Sequence, residues 1–166
     1  MKPRRFLIFA GKVTSAHIIT YLVAGTIAYP LFTKEFYVGP NPVFKLFMRT
    51  ELEPELWGHV ATWFLPGLFL EGFLIATALY PFFDTLLLWS FSKRFLSVSG
   101  LYIVLGFWAA TVAAPGTIEG MVYLRPIFTP LVHLKVQPEV IVEGLALGAM
   151  VALWMGPPPV ESPPLG

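Results

Sequence analysis

Polar residues are scarce in four stretches of the chain, 13–32, 56–80, 95–114 and 138–155, and each stretch is otherwise a nearly continuous apolar run. Each has close to the roughly 20 residues a helix needs to cross the hydrocarbon core of a bilayer. The 56–80 run is the longest and contains Pro66-Gly67. That pair opens a helix ladder and kinks it where neighbours can satisfy the freed carbonyls. Pro30, Pro81, Pro115 and Pro138 stand near the ends of the runs, where proline starts or stops a helix at little cost. The pattern predicts an all-α polytopic membrane protein, a bundle of four transmembrane helices with short, partly embedded connecting segments.

Two connections are themselves apolar. Residues 81–94 are too short to cross, and are expected to extend the second helix or to lie in the interface with Lys93 and Arg94 toward headgroups. Residues 116–137, broken by Pro126 and Pro130, read as a re-entrant or surface-lying connection. A single transmembrane domain over 1–156 would then be followed by a flexible, Pro-rich tail at 157–166.

Composition narrows the class. Hydrophobic residues make up 56% of the 166 and charged residues 13%, with a mean hydropathy of +0.71, against about a quarter charged in soluble domains. Eleven basic and ten acidic side chains give a net charge of +1, which leaves no basic face for nucleic acid. Cysteine is absent, so disulfides, thiolate nucleophiles and Cys-ligated metals are excluded. Asn41 and Gln137 are the single asparagine and glutamine. Such depletion accompanies thermophile proteins, and a lipid-facing composition produces it too.

Charge also sets an expected orientation. Lys12 interrupts the first apolar residues too early for a signal-peptide core of about 7–15 residues, so the basic N-terminus is expected to be uncleaved. Lys2, Arg4, Arg5 and Lys12 precede the first span, and Lys93 and Arg94 fall between the second and third. Lys34, Lys45, Arg49, Arg125 and Lys135 lie on the other side. The dense N-terminal cluster predicts a cell-membrane protein with both termini cytoplasmic.

Candidate chemistry is confined to a few polar side chains inside apolar runs. Glu71 lies at membrane depth, where a carboxylate normally faces a protein interior or a water-filled cavity. Taking each helix from its predicted start, Glu71 is about 22 Å deep and Glu143 about 8 Å deep from the outer side. Two clusters are therefore expected. An inner ligand or proton site would join Glu71 to His17, Thr20 and Tyr21, which share one helix face at i, i+3 and i+4. Those partners could set the protonation of Glu71, as a proton carrier requires. The plainer role is interhelical glue beside Gly72. An outer polar cluster would gather His59, Glu143, Glu119, Arg125 and His133, with an Arg125–Glu119 ion pair as its plain alternative and an interfacial His59 beside Trp57 and Trp63.

Other chemistries lack their signatures. No HExxH or similar fixed spacing accompanies the histidines, so neither a metal nor a cofactor is expected. Paired axial histidines for haem are not expected either, because His17 lies on the inner side while His59 and His133 lie on the outer. The serine-nucleophile elbow and the phosphate-binding glycine loops are missing, and Asp84 is the only aspartate. Glu-Gly follows an aliphatic residue at Leu70-Glu71-Gly72, Ile118-Glu119-Gly120 and Val142-Glu143-Gly144, without further similarity around it. Gly144, Gly148 and Ala152 form a small-residue stripe suited to tight packing, within the chain or against a partner. The expected function is non-enzymatic: a small multi-pass protein that binds an amphipathic or lipid-like ligand, or a subunit of a larger membrane complex or homo-oligomer, with membrane lipids as partners. The alternative is a proton-coupled carrier or membrane enzyme with Glu71 as its titrating group.

Overall fold

The computed structural model describes residues 3–110 and 112–157, so Lys2 and all but the first residue of the 157–166 tail lie outside the described residues. Among these residues every regular element is helical and there is no strand. Helix α1 (Pro3–Ala28) does not end at Pro30. It widens into a π-helical turn (Tyr29–Thr33) and continues as α2 (Lys34–Val38). Pro30 has no N–H for the Thr26 carbonyl and its ring crowds that carbonyl, so the helix loosens there and then resumes. A 3-10 turn (Val43–Leu46) leads to α3 (Pro54–Leu79), which carries Pro66 inside it. A second 3-10 turn at Tyr80–Phe82 joins α3 to α4 (Phe83–Leu88).

Residues 81–88 thus extend the second helix, the first of the two outcomes expected. Helix α5 (Phe91–Gly100) opens into a π-helical segment (Leu101–Trp108), followed by α6 (Ile118–Tyr123) and α7 (Pro130–Trp154). Pro138 lies inside α7, so the last helix starts at Pro130 and takes up part of what the sequence suggested was a broken connection. Pro130 occupies the first helical turn, where its missing N–H costs nothing.

Three helical stretches are long and apolar enough to cross a membrane: Pro3–Val38, Pro54–Leu88 and Pro130–Trp154. The run expected at 95–114 forms α5 and the π-helical segment. It is shorter, ending at Trp108, and more polar, with Ser92, Lys93, Arg94, Ser97 and Ser99 in α5. Large apolar side chains are exposed along the helices, among them Ile19, Val23, Leu70, Leu74 and Leu105. An apolar exterior of this kind is unusual for a protein in water and is consistent with a membrane protein.

Helix α3 packs on α1, α1 on α7, and α7 on α5, while no comparable packing joins α3 to α5 among the described residues. The four long elements therefore form an arc with one open seam. Phe9, Ala10, Val13, Ala76, Leu79, Val98, Leu147 and Val151 fill the arc near the N-terminal end of α1. Phe36, Phe44, Phe128 and Val132 form a second core at the opposite end, where the α2 region meets the start of α7.

Glycine sets two of the three packed seams. A Cβ on Gly72 would lie 2.9 Å from Thr14 Cα and 3.3 Å from His17 Cβ, so α3 rides directly on the α1 backbone. A Cβ on Gly148 would meet Phe95 O at 2.8 Å and Ser99 N at 3.0 Å. The stripe of Gly144, Gly148 and Ala152 is thus buried within the chain, with Gly148 against α5 and Gly144 against the π-helical segment, one of the two placements the sequence left open.

Arg94 also differs from expectation. It does not reach toward headgroups but is fully buried. Its Nε donates to Leu86 O at 2.6 Å, Nη2 to Leu87 O at 3.0 Å, and Nη1 to Ala152 O at 3.2 Å and to Gly156 O. Leu86 and Leu87 lie in the last turn of α4, Ala152 in the last turn of α7 and Gly156 just beyond it, at the negative end of each helix dipole. Leu86 O also accepts from the Trp89 N–H at 3.3 Å. One guanidinium fork therefore closes two helix ends at once, a task for which its planar five-donor geometry is suited.

Two substitutions test these seams. Arg94→Met leaves several helix-end carbonyls without donors and is expected to destabilise the detergent-solubilised protein by about 2–4 kcal/mol, read as a lowered thermal midpoint. Arg94→Lys should recover only part of this, because one ammonium cannot span the same carbonyls. Gly148→Val forces backbone apart between α5 and α7 and is expected to cost about 2–3 kcal/mol. Gly67→Ala, with no atom within 4 Å of its added Cβ, is the matched control and should leave the midpoint unchanged.

Candidate functional site

Helix α7 determines the site because its early start carries Glu143 deep into the arc. From Pro130, Glu143 lies about 20 Å along the helix, not the 8 Å expected from a start at position 138. It therefore stands beside His17 and not beside His59. His17 is fully buried on α1, with Nε2 3.4 Å from Glu71 Oε2 and Nδ1 3.5 Å from Glu143 Oε1. Neither nitrogen has a hydrogen-bond partner. The two carboxyls are thus joined through one imidazole into a single cluster, where depth alone had suggested two.

The remaining members come from neighbouring elements. Tyr102, in the π-helical segment, donates to Glu143 Oε1 at 2.5 Å. Tyr21 lies edge-on to His17 at 6.1 Å between ring centroids, and Tyr102 flanks the same ring at 6.3 Å. Glu139 lies one turn before Glu143 and shares its face. Thr20 shares the His17 face of α1, but its hydroxyl donates to Ala16 O at 2.9 Å and His17 O at 3.1 Å, within its own helix. Sequence reasoning missed Tyr102 and Glu139. The i, i+4 spacing of Glu139 and Glu143 was the available signal for the second.

The outer cluster is not assembled. His133 is buried, and its Nδ1 accepts from the Gly116 N–H at 2.9 Å, closing the turn before α6. His59 is exposed next to Trp63, with ring centroids 6.4 Å apart. It lies nine positions before Leu68, a residue of the buried α3 face, which turns it about 180° away at 100° per residue. Glu119 is in the first turn of α6, where Thr117 Oγ1 caps the helix by accepting from the Gly120 N–H at 2.9 Å. Arg125 is exposed after α6, and no ion pair joins it to Glu119 among the described residues.

A cavity of about 620 Å³ fills the open seam between α3 and the α5–π segment. Ile75, Ala78, Leu101 and Leu105 give it apolar walls, and Tyr21, Glu71, Tyr102, Glu139 and Glu143 form its polar side. The Glu71 side chain is 55% exposed there, against 4% for Glu143 and 0% for His17. Glu71 is therefore the member a ligand in the cavity reaches first. A second cavity of about 390 Å³ continues past Tyr21 and Glu139 to Tyr29, Tyr37 and Glu51 at the far end. There Tyr29 Oη donates to Glu51 Oε1 at 2.6 Å.

No group of three or more potential ligands is placed to hold a metal ion among the described residues. The arrangement can do two things chemically. It can hold a polar head against carboxyl and phenol groups while apolar walls take a chain, and it can pass a proton between carboxyls through the His17 imidazole. Compared with protein-family models, curated proteins and solved structures, the chain shows no match.

Proposed function

We propose that this is a non-enzymatic integral membrane protein that binds an amphipathic, lipid-like ligand in the groove between α3 and the α5–π segment. In this reading all four long elements cross the cell membrane, with α5 and its π-helical continuation as the third span and the N-terminal end of α1 on the cytoplasmic side. The observation that carries it is the unpacked seam. Three of four helix contacts close tightly over glycine and small residues, while the fourth stays open as a cavity with a polar side at mid-membrane. Its size lies within the roughly 300–1,000 Å³ typical of small-molecule sites. The lateral mouth faces lipid, so a ligand can enter from the bilayer.

A second reading, a proton-coupled carrier, is supported by one observation: the His17 ring stands between two carboxyls without a hydrogen bond of its own. An imidazole so placed can relay protons, and Glu71, at the groove, would be the group that exchanges with ligand.

Native mass spectrometry of protein extracted in mild non-ionic detergent is expected to show a co-purifying amphiphile of defined mass at one per chain. Ala78→Trp, which fills the groove mouth without entering the glycine seams, should abolish that adduct and leave the thermal midpoint within a few degrees. Retention of the adduct in this variant, or its absence from the parent protein, would sink the binding reading. For the carrier, Glu71→Gln in liposomes should eliminate ligand-dependent proton flux while the protein stays folded. Unchanged flux would remove Glu71 from that role.

A further inference from the structure

Every charged side chain that lines the groove is acidic: Glu71, Glu139 and Glu143. The adjoining cavity adds Glu51 and no basic residue. Several basic side chains elsewhere have other partners. Arg5 pairs with Asp84 at 2.9 Å, Lys12 donates to Trp154 O at 3.0 Å, Arg94 is occupied by helix-end carbonyls, and Lys135 pairs with Glu35. The His17 ring beside them is fully buried, with both nitrogens unpartnered and directed at two of the carboxyls. Ionisable groups at bilayer depth are normally paired or face a ligand or water. Among the described residues no lysine or arginine lines either cavity.

From this charge pattern we propose that the groove selects a cationic amphiphile, a long-chain amine or quaternary ammonium, over neutral and anionic ones. This rests on the binding reading above and names the class of ligand. The ammonium head would sit between Glu71, Glu143 and Glu139, and the Tyr21 and Tyr102 rings lie at hand for cation–π contact, a common mode of ammonium recognition. The chain would follow Ile75, Leu101 and Leu105 to the lateral opening. An anionic headgroup would meet three carboxyls and no counter-charge, a repulsive arrangement that discriminates as strongly as the attractive one.

The test compares three probes with the same dodecyl chain, dodecyltrimethylammonium, dodecyl maltoside and dodecanoate. Each is titrated by calorimetry into the full-length protein held in nanodiscs of zwitterionic lipid. The expected result is saturable binding of the cation at least about tenfold tighter than the maltoside, with no binding of dodecanoate. The preference should shrink to less than about threefold in a Glu71→Gln, Glu143→Gln double variant. If that variant does not fold, Glu71→Gln alone supplies the comparison, because Glu71 is half exposed. Equal affinity for cation and maltoside, lost in Ala78→Trp, would overturn the charge selection while leaving the groove as a lipid site. Saturable binding of none of the three, or a stable dimer that fills the groove with its partner's helix, would overturn both.

Discussion

A polar group shut off from water must be satisfied by the protein itself, and several polar side chains here are satisfied in that way. Thr20, Thr26, Thr62 and Thr77 each donate to a carbonyl four residues earlier in their own helix. Arg94 serves the ends of two helices. Gln137 donates to Gly116 O at 2.9 Å and accepts from Trp108 Nε1 at 2.6 Å, tying the end of the π-helical segment to α7 one residue before Pro138 interrupts the ladder. The buried exceptions among the described residues are the two nitrogens of His17 and the hydroxyls of Thr50 and Ser99. Only His17 stands among carboxyls, and it does so beside the one seam that is not packed.

The Glu-Gly pairs acquire a meaning from the same geometry. Gly72 lets α3 approach α1 at Thr14 and His17, and Gly144 lets α7 approach the π-helical segment at Tyr102 and Ile103. In both, the glutamate one residue earlier sits beside a polar ring of the approached helix, His17 for Glu71 and Tyr102 for Glu143. A glycine that brings two backbones together also shortens the distance a neighbouring carboxyl must span. The third pair behaves differently. Glu119-Gly120 starts α6, where the Gly120 N–H meets the Thr117 cap. Two of the three pairs therefore share a local logic without the wider similarity a duplicated unit would require.

The all-helical class and three of the long apolar stretches could be read from the sequence because length and apolarity alone determine them. The boundaries could not. Pro30 and Pro138 read as helix ends in the sequence, yet each lies within a continuous helical stretch that absorbs it, as a π turn and as an interior proline. A helix start at Pro138 in place of Pro130 puts Glu143 about 12 Å nearer the helix start and away from His17. The link between Glu71 and His17 was legible because both helices were placed well enough for their depths to match. Tyr102 was not, since its role depends on the π-helical widening of α5, which no residue in 101–108 signals. Arg94 was misplaced for a different reason: near a helix start it looked available to headgroups, while the carbonyls it serves come from α4 and α7, distant in sequence.

The position of the cluster relative to the two cores gives it a direction. Between His17 and the N-terminal end of α1 lies the apolar core of Phe9, Val13, Leu79, Val98 and Leu147, with no polar side chain among its buried members. Toward the other end, the first cavity meets the second at Tyr21 and Glu139, and Tyr21 also lines a third, of about 810 Å³, that reaches Lys45, Arg49 and Glu53. The cavities therefore extend from the cluster toward the α2 end, away from the apolar core. On the proposed reading, occupants would reach the acid cluster from the α2 end and through the lateral opening of the groove. That geometry suits selection and retention of a ligand. Transport would need a second arrangement of the arc, in which the Phe9–Leu147 core opens while the α2 end closes.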